Sequence, residues 1–197
     1  MKDIDRFEIR LSGAGGQGIV LASIILAEAA GIFAGYNVSQ TQSYGPEARG
    51  GRCKAEVVIS SRPIDYPKAV QLDMMLAMNQ ASCDAYCFDF KPNGLLLVDS
   101  GLVDQVPTSR VVALPFTGIA REVAGRDMVA NIVALGALGH FCPLLAPENL
   151  EAALVARVPP PTKEINSKAL RAGISAAAMF DLGTLPRSVM PEEEDEI

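Results

Sequence analysis

Apolar and polar side chains alternate near the start of the chain. In Arg6-Phe7-Glu8-Ile9-Arg10-Leu11, Phe7, Ile9 and Leu11 fall on one side and Glu8 and Arg10 on the other, the two-residue period of a strand. Residues 19–31 are rich in Ala, Leu and Ile with no internal Pro, which predicts a helix. Between them lies Ser12-Gly13-Ala14-Gly15-Gly16-Gln17-Gly18, so the order is strand, glycine turn, helix. Further strands are predicted at 37–42, 54–59, 73–78, 95–99 and 111–114, with a short helix at 80–88. Pro92-Asn93-Gly94 reads as a turn just before the apolar run Leu95-Leu96-Leu97-Val98. The rest is helical: 118–124, 128–141, 147–158 and 163–180, with Pro147 in a first turn and Pro159-Pro160-Pro161 as a break. Alternating strands and helices with short connections predict a doubly wound α/β fold. Its sheet is mostly parallel, it opens on a Rossmann-like strand, glycine loop and helix, and its C-terminal part is helical. Residues 1–185 are expected to form a single domain and 186–197 a mobile acidic tail.

Composition narrows the classes of function. Hydrophobic residues make up 49% and charged residues 20%, which describes a chain able to bury a core. The formal net charge is −6, but Glu192, Glu193, Glu194, Asp195 and Glu196 supply most of it. The remaining body is nearly neutral and lacks the basic surface that nucleic acid requires. The charged N-terminus, Met1-Lys2-Asp3-Ile4-Asp5-Arg6, has no apolar leader core, and the expected location is the cytoplasm. The most apolar stretch, 128–145, carries Asn131 and His140 and is stopped by Pro143, so it reads as a buried helix or a subunit contact and not a membrane span. Cys53, Cys83, Cys87 and Cys142 lack the spacing of a metal or cluster site; Cys83 and Cys87 are placed to share a helix face.

Gly13, Gly15 and Gly18 fit G-x-G-x-x-G, in which missing side chains allow a tight turn and bring backbone N–H groups at a helix N-terminus close to an anion. A nicotinamide site also needs a carboxylate at the end of the second strand, but Val38-Ser39-Gln40-Thr41-Gln42 holds none. A second glycine-rich segment, Tyr44-Gly45-Pro46-Glu47-Ala48-Arg49-Gly50-Gly51-Arg52, is expected to fold over the same crevice. Arg49 would there offer a fork to a phosphate or carboxylate, or pair with an acid of this or a neighbouring chain. His140, the sole histidine, reads as a buried, hydrogen-bonded core imidazole, and the Asn131 amide needs a partner, in this chain or in another. No catalytic residue and no metal ligand is assigned. The cofactor-binding candidates are Gly13, Gly15, Gly16, Gln17, Gly18, Tyr44, Arg49, Gly50 and Gly51.

Five blocks in order carry a family resemblance: Gly13-Ala14-Gly15-Gly16-Gln17-Gly18, Gln42-Ser43-Tyr44-Gly45-Pro46-Glu47-Ala48-Arg49-Gly50-Gly51, Ile64-Asp65-Tyr66-Pro67, Ala77-Met78-Asn79-Gln80, and Met128-Val129-Ala130-Asn131-Ile132-Val133-Ala134-Leu135-Gly136-Ala137. Together they resemble the gamma subunit of 2-oxoacid:ferredoxin oxidoreductases, and the Ser-Tyr-Gly-Pro-Glu-Ala-Arg-Gly-Gly form looks like the 2-oxoglutarate type. The resemblance implies oxidative decarboxylation of 2-oxoglutarate with coenzyme A, giving succinyl-CoA, carbon dioxide and reduced ferredoxin. It implies thiamine diphosphate on alpha and beta subunits, and [4Fe-4S] clusters on the beta subunit and often on a ferredoxin-like delta subunit. Ferredoxin is the electron acceptor, and this chain would be a non-redox subunit that is inactive alone. The glycine and arginine loops are candidates for closing over coenzyme A or the thiamine site. Alternatives are a subunit of an indolepyruvate or branched-chain 2-oxoacid enzyme, a free-standing nucleotide-binding module, or a structural subunit whose glycine loop touches only protein.

Overall fold

The computed structural model describes residues 2–45 and 51–186. Arg49, Gly50 and the acidic tail from residue 187 onward lie outside the described residues. Six strands form one sheet: β1 (Phe7–Ala14), β2 (Asn37–Tyr44), β3 (Arg52–Ser60), β4 (Leu72–Ala77), β5 (Phe90–Asp99) and β6 (Val111–Leu114). Their order is β2-β3-β1-β4-β5-β6. The pairs β1/β4, β4/β5 and β5/β6 are parallel, whereas β3 runs antiparallel to both β1 and β2. The sheet is therefore mixed, with β3 alone reversed. The cause is local: a short connection joins β2 to β3 as a hairpin, and parallel strands would need a long crossover instead.

The alternation seen in Phe7 to Leu11 persists through β1 and β3. Ile9, Leu11, Ala55, Val57 and Ile59 point into the main core. On that side lie α1 (Ile19–Glu28), α3 (Phe116–Ala124), α4 (Ala130–Phe141), α5 (Pro147–Arg157) and α6 (Lys163–Ala178), with α6 packed on α3, α4 and α5. The other face carries α2 (Gln80–Tyr86) and a smaller apolar cluster that includes Met75, Cys83, Leu96 and Val98. Helices thus lie on both faces, as the doubly wound expectation requires.

On this second face the polar members of the alternation are buried too. Glu8, Arg10 and Glu56 are at most 5% exposed. Each has partners, as buried charge must. The Glu8 carboxylate accepts from the Val70 and Gln71 amides at 2.5 and 2.7 Å and pairs with Arg6. Arg10 Nε donates to Glu56 Oε1 at 2.9 Å and Arg10 Nη1 to the Tyr86 carbonyl at 2.9 Å, while Lys54 Nζ reaches Glu56 Oε1 at 3.0 Å. Burial pushes the Glu56 carboxyl up, but the Lys54 hydrogen bond and the Arg10 and Lys54 charges outweigh it and leave it below the usual carboxylate value.

Several expectations change. β1 runs on to Ala14, so Gly13 is in the strand and the turn begins at Gly15. Pro92-Asn93-Gly94 lies within β5, not ahead of it. Leu72 and Met74 of β4 pair with Phe90 and Leu95 of β5, so three extra residues of β5 bulge out of register. A π-helical turn, Ala29–Phe33, continues α1. His140 is exposed, because α4 emerges from its cover in its last turn, and its ring stands edge-on to Phe141 at 5.2 Å. Buried from Ala130 to Gly139, α4 is apolar all round as a core helix should be. Among the described residues no helix is long and apolar enough to cross a membrane.

Candidate ligand crevice

The strands β1 and β4 are parallel neighbours whose connections leave in opposite directions, α1 to the main-core face and α2 to the other. Diverging connections open a crevice beyond the carboxyl ends of the strands, the usual ligand position in such sheets. The glycine turn forms one wall. Gly16 and Gly18 have φ of +96° and +73°, the left-handed region that favours glycine. Gly18 caps α1 without a side chain, which leaves amides of the first turn facing outward.

Gln17 spans the crevice. Its Oε1 accepts from the Ala14 amide at 2.7 Å and from Asn79 Nδ2 at 2.8 Å, and its Nε2 donates to the Met78 carbonyl at 3.4 Å. One amide thus ties the loop after β1 to the loop after β4. Gly13 allows this, since a Cβ there would lie 2.8 Å from Gln17 Oε1. Asn79 also caps α2, its side chain accepting from the Ser82 amide at 2.8 Å. Asn131, far along the chain in α4, donates from Nδ2 to the Gly18 carbonyl at 3.1 Å, so this amide finds a partner within its own chain. Its Oδ1 is buried with no partner among the described residues.

A cavity of about 320 Å³ opens here. Gly16 and Gln17 line one side, Met78, Leu102 and Met128 supply apolar surface, and Arg121 and Asp127 stand at the rim. Those two form a bidentate pair, Nε to Oδ1 at 2.5 Å and Nη2 to Oδ2 at 2.8 Å, which holds the Asp127 carboxyl below its usual value. Beneath them, the buried Asp99 at the end of β5 accepts from the Thr117 amide at 2.8 Å and the Gly101 amide at 3.0 Å, fixing the start of α3.

The sequence-predicted residues are partly united. Gly15, Gly16, Gln17 and Gly18 form the turn, with Gly13 just behind it. The Gly15 amide donates to the Gly51 carbonyl at 2.8 Å, so the two glycine segments meet. Tyr44 is the last residue of β2 and is exposed. Asn79, Arg121 and Asp127 were not among the candidates. Asn79 carried a legible sign as an N-cap, whereas nothing local marks the Arg121–Asp127 pair. Among the described residues no group of three His, Cys, Asp or Glu is arranged to hold a metal ion. The crevice therefore offers backbone amides, side-chain amides and an apolar wall, the means to bind and orient a ligand.

A mixed sheet with helices on both faces and a glycine-lined crevice at its switch point defines a doubly wound α/β domain. The chain belongs to the pyruvate ferredoxin/flavodoxin oxidoreductase family, whose model matches residues 8–176. It is 47% identical over 176 residues to the 2-oxoglutarate synthase subunit KorC of Methanocaldococcus jannaschii, a match covering 87% of this chain and 94% of that one. It is similar in structure to the gamma subunit of a keto/oxoacid ferredoxin oxidoreductase from Geobacter sulfurreducens, with a TM-score of 0.82 and 45% identity over 89% of this chain and 98% of that one. It is also 33% identical over 132 residues to the ketoisovalerate oxidoreductase subunit VorA of Methanothermobacter marburgensis, covering 66% of this chain and 27% of that one.

Proposed function

We propose that this chain is the gamma subunit of a 2-oxoglutarate:ferredoxin oxidoreductase, acting in the coenzyme A-dependent decarboxylation of 2-oxoglutarate to succinyl-CoA with reduction of ferredoxin. The observation that carries this reading is the 47% identity to a 2-oxoglutarate synthase subunit over nearly the whole of both chains, against 33% over two thirds of this chain for the ketoisovalerate subunit. The latter match occupies about a quarter of a longer polypeptide, which supports a chain that works packed against others. Its partners are alpha and beta subunits carrying thiamine diphosphate and iron–sulfur clusters, with a ferredoxin-like delta subunit and ferredoxin itself.

Coenzyme A is the cofactor whose chemistry fits the crevice. The amides at the start of α1 would meet phosphate, and Met78, Leu102 and Met128 the apolar stem. Arg49 would add a cation to the phosphates. When bound, coenzyme A supplies the thiol that receives the acyl group. The task of this chain is to hold and orient it.

Purification of the complex through a tag on this chain, followed by identification of the companions, tests the assembly. A companion with thiamine-binding and cluster sequences is expected. In that complex 2-oxoglutarate should be turned over in preference to branched-chain 2-oxoacids and indolepyruvate; the reverse preference removes the substrate assignment. Arg49→Ala should raise the KM for coenzyme A or weaken assembly, and unchanged kinetics and assembly would strike Arg49 from the site.

A further inference from the structure

The crevice leaves unused a second cluster on the opposite face of the sheet. Cys83 lies in α2 and Cys87 caps its end, one turn on, with the Cys87 amide donating to the Cys83 carbonyl at 3.0 Å. One helical turn separates the two Cα atoms by roughly 6 Å, within the span of a disulfide. Their sulfurs are already 3.2 Å apart. A cavity of about 270 Å³, lined also by Asp84, Gln105, Val106 and Pro107, opens onto them. Cys83 is fully buried and Cys87 partly exposed, whereas Cys53 and Cys142 are buried.

We propose that Cys83 and Cys87 form a modification site, a dithiol that closes to an intramolecular disulfide by exchange with a low-molecular-weight disulfide entering this cavity. The Cys87 thiolate attacks one sulfur of the small disulfide, breaking its S–S bond and releasing one thiolate. Cys83, deprotonated in turn, attacks Cys87 Sγ and expels the second. Two electrons pass from the two cysteines to the small disulfide, and the two protons end on the released thiols. Burial, and for Cys87 also the neighbouring Cys83, pushes both thiols up; Asp84 on α2 adds to this, while Arg10 on β1 pulls Cys87 the other way. Thiolate is scarce at neutral pH, and exchange accelerates about tenfold per pH unit over the range below the thiol values. Closure also bears on the polar face, because Cys87 lies between Tyr86 and Phe88, whose carbonyls accept from Arg10 Nη1 at 2.9 and 3.4 Å.

The full chain is incubated with glutathione disulfide from pH 7 to 9, denatured, alkylated and digested for mass spectrometry. The peptide holding both residues should lose the mass of two hydrogens and resist alkylation until reduced, while Cys53 and Cys142 remain alkylated. Cys83→Ser should instead retain one glutathione on Cys87, and Cys87→Ser should take up none. Two free thiols in the wild-type peptide at pH 9, or a lasting glutathione adduct on wild-type Cys87, would overturn the proposal.

Discussion

Gly18 occupies a left-handed backbone position, and a Cβ there would collide with the Asn131 amide. Gly18→Ala should therefore destabilise the chain by about 2 kcal/mol, partly from the left-handed conformation and partly from overpacking. In the Asn131→Ala background the overpacking share disappears, so the two changes should be non-additive in denaturant unfolding. The glycine was legible in the sequence; its partner was not, because Asn131 is distant along the chain and only the fold brings α4 to the turn. A second residue-scale expectation concerns Glu56. Its folded-state carboxyl sits below the unfolded value, so its contribution to stability is present above pH ~4.3 and lost as pH falls through the folded value. Glu56→Gln leaves the buried Arg10 with only the half-exposed Asp89 carboxylate, 3.9 Å away, as counter-charge, and should cost on the order of 3 kcal/mol at pH 7. The gap to wild type should narrow in acid, as measured by urea unfolding across pH.

Between elements, α4 and α6 approach backbone to backbone. A Cβ at Gly173 would strike the backbone of Val133, and one at Gly136 the carbonyl of Leu170. Backbone cannot yield as the tip of a side chain can, so Gly173→Ala should force the helices apart and lower stability by about 2 to 3 kcal/mol in thermal or denaturant unfolding. An alanine at exposed Gly125 meets no atom within 4 Å but sits at φ +65°, which isolates the backbone cost alone, about 1 kcal/mol. The sequence pattern located both helices to within two residues, since Pro143 stops α4 and Pro159-Pro160-Pro161 precedes α6. It could not supply their crossing. The misplaced turn at Pro92-Asn93-Gly94 has the same origin: local turn chemistry is real, but the β4 register carries the chain through it as a bulge.

Across the whole molecule the two faces of the sheet differ in kind. One is a thick apolar layer of five helices; the other is a thin cover of α2 and loops over buried ion pairs. The α/β class followed from alternating periods, and the family from five ordered blocks. The direction of β3 did not, because the predicted strands stop at 42 and resume at 54, a gap near crossover length, whereas β2 and β3 extend to Tyr44 and Arg52 and leave only a hairpin connection. Only half of the candidate site was legible. Glycines declare themselves by type, whereas the apolar wall and the Arg121–Asp127 rim come from segments whose local pattern is ordinary. The Gln17 side chain has a mechanical consequence at this scale. A single oxygen serves as the joint between two loops that depart to opposite sides of the sheet, so neither loop can open independently of the other. Hydrogen exchange at the Ala14 amide and across the first turn of α2 should slow and quicken together, and Gln17→Ala should uncouple them, with both regions exchanging faster.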